Sequence, residues 1–160
     1  MNVTTKRVNY RDADDSQQLV RLMKEYVELE GVKQPDLKLL PEKLADFPTA
    51  FSVLAYADSN PSQAVGLIDC FYGFSTWKLK PLVNIHDVIV TKDFRGRGVA
   101  GVLLSAVEEI AIANGCCRMT LEVYANNERA VRAYQNYGFT GDPSCPGVDT
   151  LFLRKSFENE

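Results

Sequence analysis

The chain has 160 residues, 46% hydrophobic and 24% charged, with a net charge of −3. That length suits one domain, 1–160, with a full core, and the acidic balance argues against a nucleic-acid-binding surface. No apolar run approaches the ~20 residues of a membrane span, and "MNVTTKRVNYRDADD" at the start lacks a signal peptide's apolar core, so the expected location is cytoplasmic.

In chain order, residues 6–11 read as a short first strand. Residues 12–31 read as a helix, with Leu19, Leu22, Met23, Tyr26 and Val27 at helical spacing, acids in front and Gly31 behind. Residues 41–47 read as a short helix with Pro41 near its first turn. A hairpin follows: a strand over 50–58, an Asn-Pro turn over 59–63 and a returning strand over 64–75. Residues 76–82 read as a loop, because Pro81 cannot donate to a central ladder. The fourth strand is "VNIHDVIV", 83–90.

A helix follows over 102–115, with an apolar stripe of Val99, Val102, Leu103, Ala106, Val107 and Ile110, with Glu108 and Glu109 off it and Gly115 as its stop. Residues 116–124 read as a buried strand that includes Cys116 and Cys117. A last helix spans 126–138, capped by Asn126 or Asn127, with Ala130, Val131 and Tyr134 inward and Gly138 as its stop. One or two strands close the chain. The sum is a mixed α/β domain. Cys70, Cys116, Cys117 and Cys145 form no CxxC, and the chain has a single histidine. Reduced thiols and no metal are expected.

The chemistry concentrates in "FRGRGVAG", 94–101, between a strand and a helix. From Phe94 to Gly98 no side chain is of a capping type, so helix-start N–H groups are left for a ligand. Gly96, Gly98 and Gly101 permit positive φ and close approach, and Arg95 and Arg97 add charge to the helix dipole. The stretch predicts an anion site, usually for phosphate. Gly96-Arg97-Gly98-Val99-Ala100-Gly101 also satisfies the dinucleotide pattern G-x-G-x-x-G, with Glu122 about twenty residues on. Against that reading, "TKDFR" separates the glycines from their strand, and a meander rather than repeated βαβ units precedes them.

Read as Arg95-x-x-Gly98-x-Ala100, the loop resembles the pyrophosphate loop of the GNAT acetyltransferase superfamily. The approach from the fourth strand is similar, and so is the later pattern Asn127-x-x-Ala130-x-x-x-Tyr134-x-x-x-Gly138-Phe139. Motif similarity covers about residues 83–140. The resemblance implies a central six- to seven-stranded mixed sheet flanked by about four helices. It also implies acetyl-CoA as cosubstrate and direct acetyl transfer to an amine.

On this resemblance the coenzyme contacts are the backbone of Val88, Ile89 and Val90, the loop Arg95, Gly96, Arg97, Gly98, Val99 and Ala100, and Asn127. Tyr134 corresponds to the tyrosine that reaches the coenzyme sulfur and acts as acid for the leaving thiolate; otherwise it is a core tyrosine. His86 is the candidate base, with a structural histidine as the other reading. Asp87 and Glu122 are rival carboxylates, and Asp87 is the expected holder of a cationic substrate. Arg129 and Arg132 read as adenosine-phosphate contacts or as solvated helix charges. The aromatics of 71–77, with Tyr26, Glu28 and Glu30, are candidate walls of an acceptor pocket. The expected partner is a small amine such as a polyamine, an amino acid or an aminoglycoside; a protein or peptide amine, or coenzyme binding without catalysis, are the alternatives. No nucleic acid or membrane partner is expected, and a homodimer is open.

Overall fold

The structure, a computed structural model, describes residues 1–31, 33, 35–141 and 150–157, with residues 29 and 30 described by backbone alone. Strand β1 (Val3–Arg7) leads to helix α1 (Ala13–Glu30). The Asp12 carboxylate caps that helix by accepting the Asp15 N–H at 3.0 Å, and Gly31 ends it at a φ of 64°. Helix α2 (Leu40–Ala45) carries Pro41 in its first turn, where a missing N–H costs nothing. Strands β2 (Ala50–Ala57), β3 (Asn60–Ser75) and β4 (Lys80–Val90) follow as a meander. Helix α3 (Val99–Ala113), strand β5 (Arg118–Tyr124), helix α4 (Glu128–Tyr137) and strand β6 (Thr150–Ser156) complete the described elements.

The strands lie in the order β1-β2-β3-β4-β5-β6. β1 pairs antiparallel with β2, from Val3↔Ala57 to Arg7↔Val53, and β5 pairs antiparallel with β6. β4 pairs parallel with β5 at Val83↔Met119, Asn84↔Thr120 and Ile85↔Leu121. Six strands and four α-helices among the described residues give the mixed α/β sheet expected. A doubly wound parallel sheet, which a dinucleotide site would require, is not what the chain builds.

Several local expectations are corrected. The first strand ends at Arg7 rather than running over 6–11. Asn9 turns the chain there: its carbonyl accepts the Asp12 N–H at 2.9 Å and its side chain the Arg11 N–H at 3.1 Å. The hairpin turn is only Asp58 and Ser59, because β3 already begins at Asn60; Pro61 sits at its exposed start, where no ladder donor is required. Pro81 lies inside β4 rather than in a loop. Its carbonyl accepts the Cys117 N–H at 2.9 Å, so the pairing uses the acceptor that proline keeps. Cys116 and Cys117 precede β5 and are both buried. On α3 the buried residues are Val99, Leu103, Leu104, Val107 and Ala111, so the stripe turns slightly from the one read in the sequence. Among the described residues the closing strand is β6, with a bridge from Thr140 to Arg154. Cys145 lies outside the described residues.

Packing divides the chain into two compact units: Met1–Cys70 with Asp87–Val107, and Phe71–His86 with Glu108–Glu160. In the first, Val8, Leu19, Leu22, Leu54, Ala64, Leu67 and Ile89 form one buried cluster, against which Tyr10, Met23 and Tyr26 pack. Each valine, leucine or isoleucine among them contributes roughly 1.5–3 kcal/mol by leaving water. In the second, Val83, Ile85, Met119, Leu121, Phe139 and Leu153 are buried. There Glu108 of α3 accepts from the Tyr137 hydroxyl at 2.6 Å and from Lys155 Nζ at 2.9 Å. Burial raises the Glu108 pKa, but the two hydrogen bonds and the lysine charge outweigh it and hold the carboxyl below its ordinary value. Among the described residues, no helix is long and apolar enough to cross a membrane.

Candidate functional site

In the first unit, β4 ends with Asp87, Val88 and Val90 half-buried and Ile89 buried. The Thr91 N–H then donates to the Val65 carbonyl at 3.0 Å, which fixes where the chain leaves the sheet. A single 3-10 turn, Lys92–Phe94, separates the strand from the glycines. Arg95 is half-buried, and its Nε–H donates to the Val90 carbonyl at 2.8 Å. Gly96 and Gly98 both have positive φ, 75° and 85°. The guanidinium of Arg97 lies 5.7 Å from the centroid of the Phe94 ring, on the exposed side.

Helix α3 starts directly after Gly98, which has no side chain to cap it. The first bond inside the helix runs from the Val102 N–H to the Gly98 carbonyl at 3.2 Å. The N–H groups of Val99, Ala100 and Gly101 are therefore left without intrahelical acceptors at the positive end of the helix dipole. Gly101 belongs to this first helical turn and has no positive φ, so it does not shape the loop as expected. Together with two arginines, this donor set fits a pyrophosphate.

Gly66 of β3, which the sequence reading passed over, sets the depth of the helix. A β-carbon there would meet Leu103 Cδ1 and Val99 Cγ1 at 3.0 Å and the Ile89 carbonyl at 3.1 Å. The same strand carries Asp69 in the buried run Ala64–Cys70, also passed over. The one carboxylate in the apolar stretch 64–70 marks a residue of note in the sequence, though not its partners. The Ser52 hydroxyl donates to Asp69, and Tyr10 Oη meets Ser52 Oγ at 2.7 Å. Burial, opposed by the Ser52 hydrogen bond and reinforced by the Asp87 charge, pushes the Asp69 carboxyl up to about 7. Tyr26 is half-buried and Glu28 exposed; the Glu30 side chain lies outside the described residues.

In the second unit, His86 is exposed on β4, and its ring meets Phe71 edge-on at 4.8 Å between centroids. Phe71 and Tyr72 are half-buried, whereas Phe74 and Trp77 are 60% and 91% exposed, so the aromatic run is not core throughout. Asn127 caps α4 by accepting the Ala130 N–H at 3.2 Å. Tyr134 is half-buried on that helix, 5.9 Å from the Phe139 ring. Arg129 is exposed, and Arg132 pairs at 3.2 Å with Glu128 one turn earlier. Glu122 is exposed on β5, opposite Phe152 of β6. Among the described residues, no three His, Cys, Asp or Glu side chains are grouped to hold a metal ion.

Known proteins resemble this chain in sequence and fold. The thialysine N-epsilon-acetyltransferase of Bos taurus is 28% identical over 133 residues, spanning 79% of this chain and 78% of that protein. Arabidopsis thaliana NAA60 in complex with acetyl-CoA superposes with a TM-score of 0.77 at 15% identity, covering 99% of this chain and 100% of that one. The aminoglycoside acetyltransferase meta-AAC0020, from an uncultured soil metagenomic sample and in complex with sisomicin, superposes with a TM-score of 0.72 at 19% identity, covering 85% and 87%. At these identities the two structures share the fold. The family profile of the acetyltransferase (GNAT) family matches residues 17–139, which take in the glycine loop, Asn127 and Tyr134. The chain belongs to the GNAT family and is an N-acetyltransferase.

Proposed function

We propose that this chain transfers the acetyl group of acetyl-CoA to a primary amine of a small cationic molecule. The observation that carries the reading is the start of α3: three N–H groups without intrahelical acceptors behind two positive-φ glycines, flanked by Arg95 and Arg97. That donor set suits a pyrophosphate and leaves the backbone of Val88, Ile89 and Val90 and the amide of Asn127 as further contacts for the coenzyme arm. The coenzyme supplies an acetyl group already activated as a thioester.

The residues then divide the work. Asp87, half-buried next to apolar neighbours, holds the ammonium of the acceptor. The amine must lose a proton before it attacks, and two groups of β4, His86 and Asp87, are able to take it. The Tyr134 hydroxyl gives a proton to the departing sulfur. The likeness to the thialysine enzyme supports a small amine, as does the sisomicin complex of a protein with the same fold. Cys70, Cys116 and Cys117 are unpaired thiols, which supports a reducing, cytoplasmic setting.

The experiment is a coenzyme A-release assay with acetyl-CoA and a panel of polyamines, amino acids, aminoglycosides and short peptides. Turnover of one small cationic class is the expected result. Turnover of peptides alone moves the acceptor to a protein N-terminus or lysine. Failure to bind acetyl-CoA in calorimetry overturns the coenzyme assignment.

A further inference from the structure

The turn over 76–79, between β3 and β4 of the second unit, leaves large apolar side chains in water. Trp77, the single tryptophan of the chain, is 91% exposed, Leu79 is 76% exposed, and Phe74 just before the turn is 60% exposed. Scattered apolar residues on a surface need no explanation, but three within six positions form a patch. The backbone adds a second observation. Among the described residues, Leu79 is the one that takes a positive φ, 53°, without being glycine. A side chain there crowds its own backbone, and glycine would make the same turn without strain. Neither packing nor backbone stability explains an exposed leucine at that position.

The turn is held stiffly from below. Ser75, 4% exposed, accepts the Lys78 N–H at 3.2 Å and Arg118 Nη2 at 3.1 Å. The Pro81 carbonyl accepts the Cys117 N–H at 2.9 Å, which ties the start of β4 to the chain before β5. A β-carbon on Gly73 would meet Leu82 Cδ1 at 3.2 Å, so the two strands under the turn are closely packed. The apolar side chains are therefore presented in place, with little left to order on binding. Their charged neighbours have one sign. Residues 71–86 contain no Asp or Glu, while Lys78 is half-buried within the turn and Lys80 is exposed at its end. A lysine so placed lays its stem along apolar surface and keeps its ammonium in water. In a chain of net charge −3, this segment is cationic.

We propose that the β3–β4 turn is a contact point for an anionic lipid surface, where Trp77, Leu79 and Phe74 enter the interface and Lys78 and Lys80 meet the phosphates. Tryptophan favours the headgroup level, leucine and phenylalanine the acyl boundary just below it, and lysine the anionic headgroups. A protein partner fits the patch less well, because a stable interface takes about 20–30 residues a side and the turn offers a handful. The contact lies on a membrane and does not span it. It adds a partner that the sequence reading did not expect, and it stands independently of the acetyl-transfer reading. Three apolar side chains and two cations give weak, reversible binding, which raises the time the protein spends near lipid without anchoring it.

The single tryptophan is its own reporter. The full chain is mixed with vesicles of phosphatidylcholine alone and of phosphatidylcholine with phosphatidylserine, and Trp77 emission and co-sedimentation are followed. With the anionic vesicles the emission moves to shorter wavelength and the protein sediments with the lipid. Both effects are far weaker with phosphatidylcholine alone and fade at high salt. In co-sedimentation, Trp77→Ala lowers partitioning by about tenfold, and Lys78→Ala lowers it by about fivefold. Leu79→Gly separates the surface from the fold: relieved of its strained φ, it melts no lower than wild type, yet it partitions less. Emission that ignores the anionic vesicles overturns the proposal, and so does an equal response to both vesicle types. Partitioning that survives both Trp77→Ala and Leu79→Gly places the lipid contact elsewhere and overturns it too. A shift that appears without vesicles as protein concentration rises gives the turn to a second copy, and one that appears with a small amine gives it to the acceptor pocket; either result overturns the lipid assignment.

Discussion

Arg95 donates its Nε–H to the Val90 carbonyl at 2.8 Å, so the arginine that opens the loop is tied to the last residue of the strand before it. Arg97, two residues on, is exposed and leans on the Phe94 ring instead. One cation is part of the loop's framework and the other is a surface charge. Arg95→Ala is expected to weaken coenzyme binding by about 10- to 100-fold, the range for loss of a charge-assisted hydrogen bond. Arg97→Ala is expected to weaken it by only about threefold, and that smaller loss should shrink further at high salt. Calorimetry at two ionic strengths checks both; equal losses would contradict the division.

Gly98 separates backbone freedom from ligand binding. A β-carbon there meets nothing within 4 Å, but φ is 85°, so Gly98→Ala is expected to cost about 1–2 kcal/mol of stability through conformation alone. Gly98→Asp adds a negative charge at the helix start, which favours the helix and opposes a phosphate. The expectation is a Tm no lower than that of Gly98→Ala together with a far greater loss of coenzyme affinity. Thermal denaturation and calorimetry on the two variants decide it.

Tyr134→Phe leaves the ring against Phe139 and removes only the hydroxyl. If that hydroxyl protonates the leaving sulfur, kcat falls by about 10²-fold while the coenzyme dissociation constant stays within about twofold. Retained kcat would return Tyr134 to the role of a packing residue.

Asp69 and Glu108 make opposite contributions to stability across pH. Asp69 has a folded pKa raised to about 7, so between the unfolded value near 4 and that point the folded state holds more protons than the unfolded one. Stability is then lost as pH rises through this window, with a slope approaching about 1.4 kcal/mol per pH unit at most. Glu108, held below its ordinary value, contributes stability that is present above the unfolded pKa and lost as pH falls through the folded one. Urea denaturation from pH 4 to 8 should show Asp69→Asn flattening the decline toward neutral pH. An unchanged slope would mean that Asp69 is ionised throughout.

Local chemistry made much of this legible in advance. Asp12 and Gly31 bracket α1, Asn127 and Gly138 bracket α4, and each signal acts within one helical turn. The loop was legible because Gly96 and Gly98 are needed for backbone that other residues rarely adopt. Gly101 misled because a glycine inside a helix looks the same in sequence as one outside it. Pro81 misled because the rule concerns its missing donor, while the partner Cys117 uses its carbonyl. Asp69 was illegible as a site because its hydrogen-bond chain joins residues 17 and 42 positions apart, which no local pattern encodes.

Gly66 has a consequence for anyone who would redesign the enzyme. With Leu103, Val99 and the Ile89 carbonyl all within about a methyl group's reach of its α-hydrogen, the position behaves as a gauge for how thick the layer of helix on sheet can be. Two of those contacts belong to the helix whose first turn follows Gly98. Thickening the spacer by even one carbon tilts or lifts that turn, and the helix-start amides move with it. The exposed aromatics at Phe74 and Trp77 tolerate changes of size that this glycine does not.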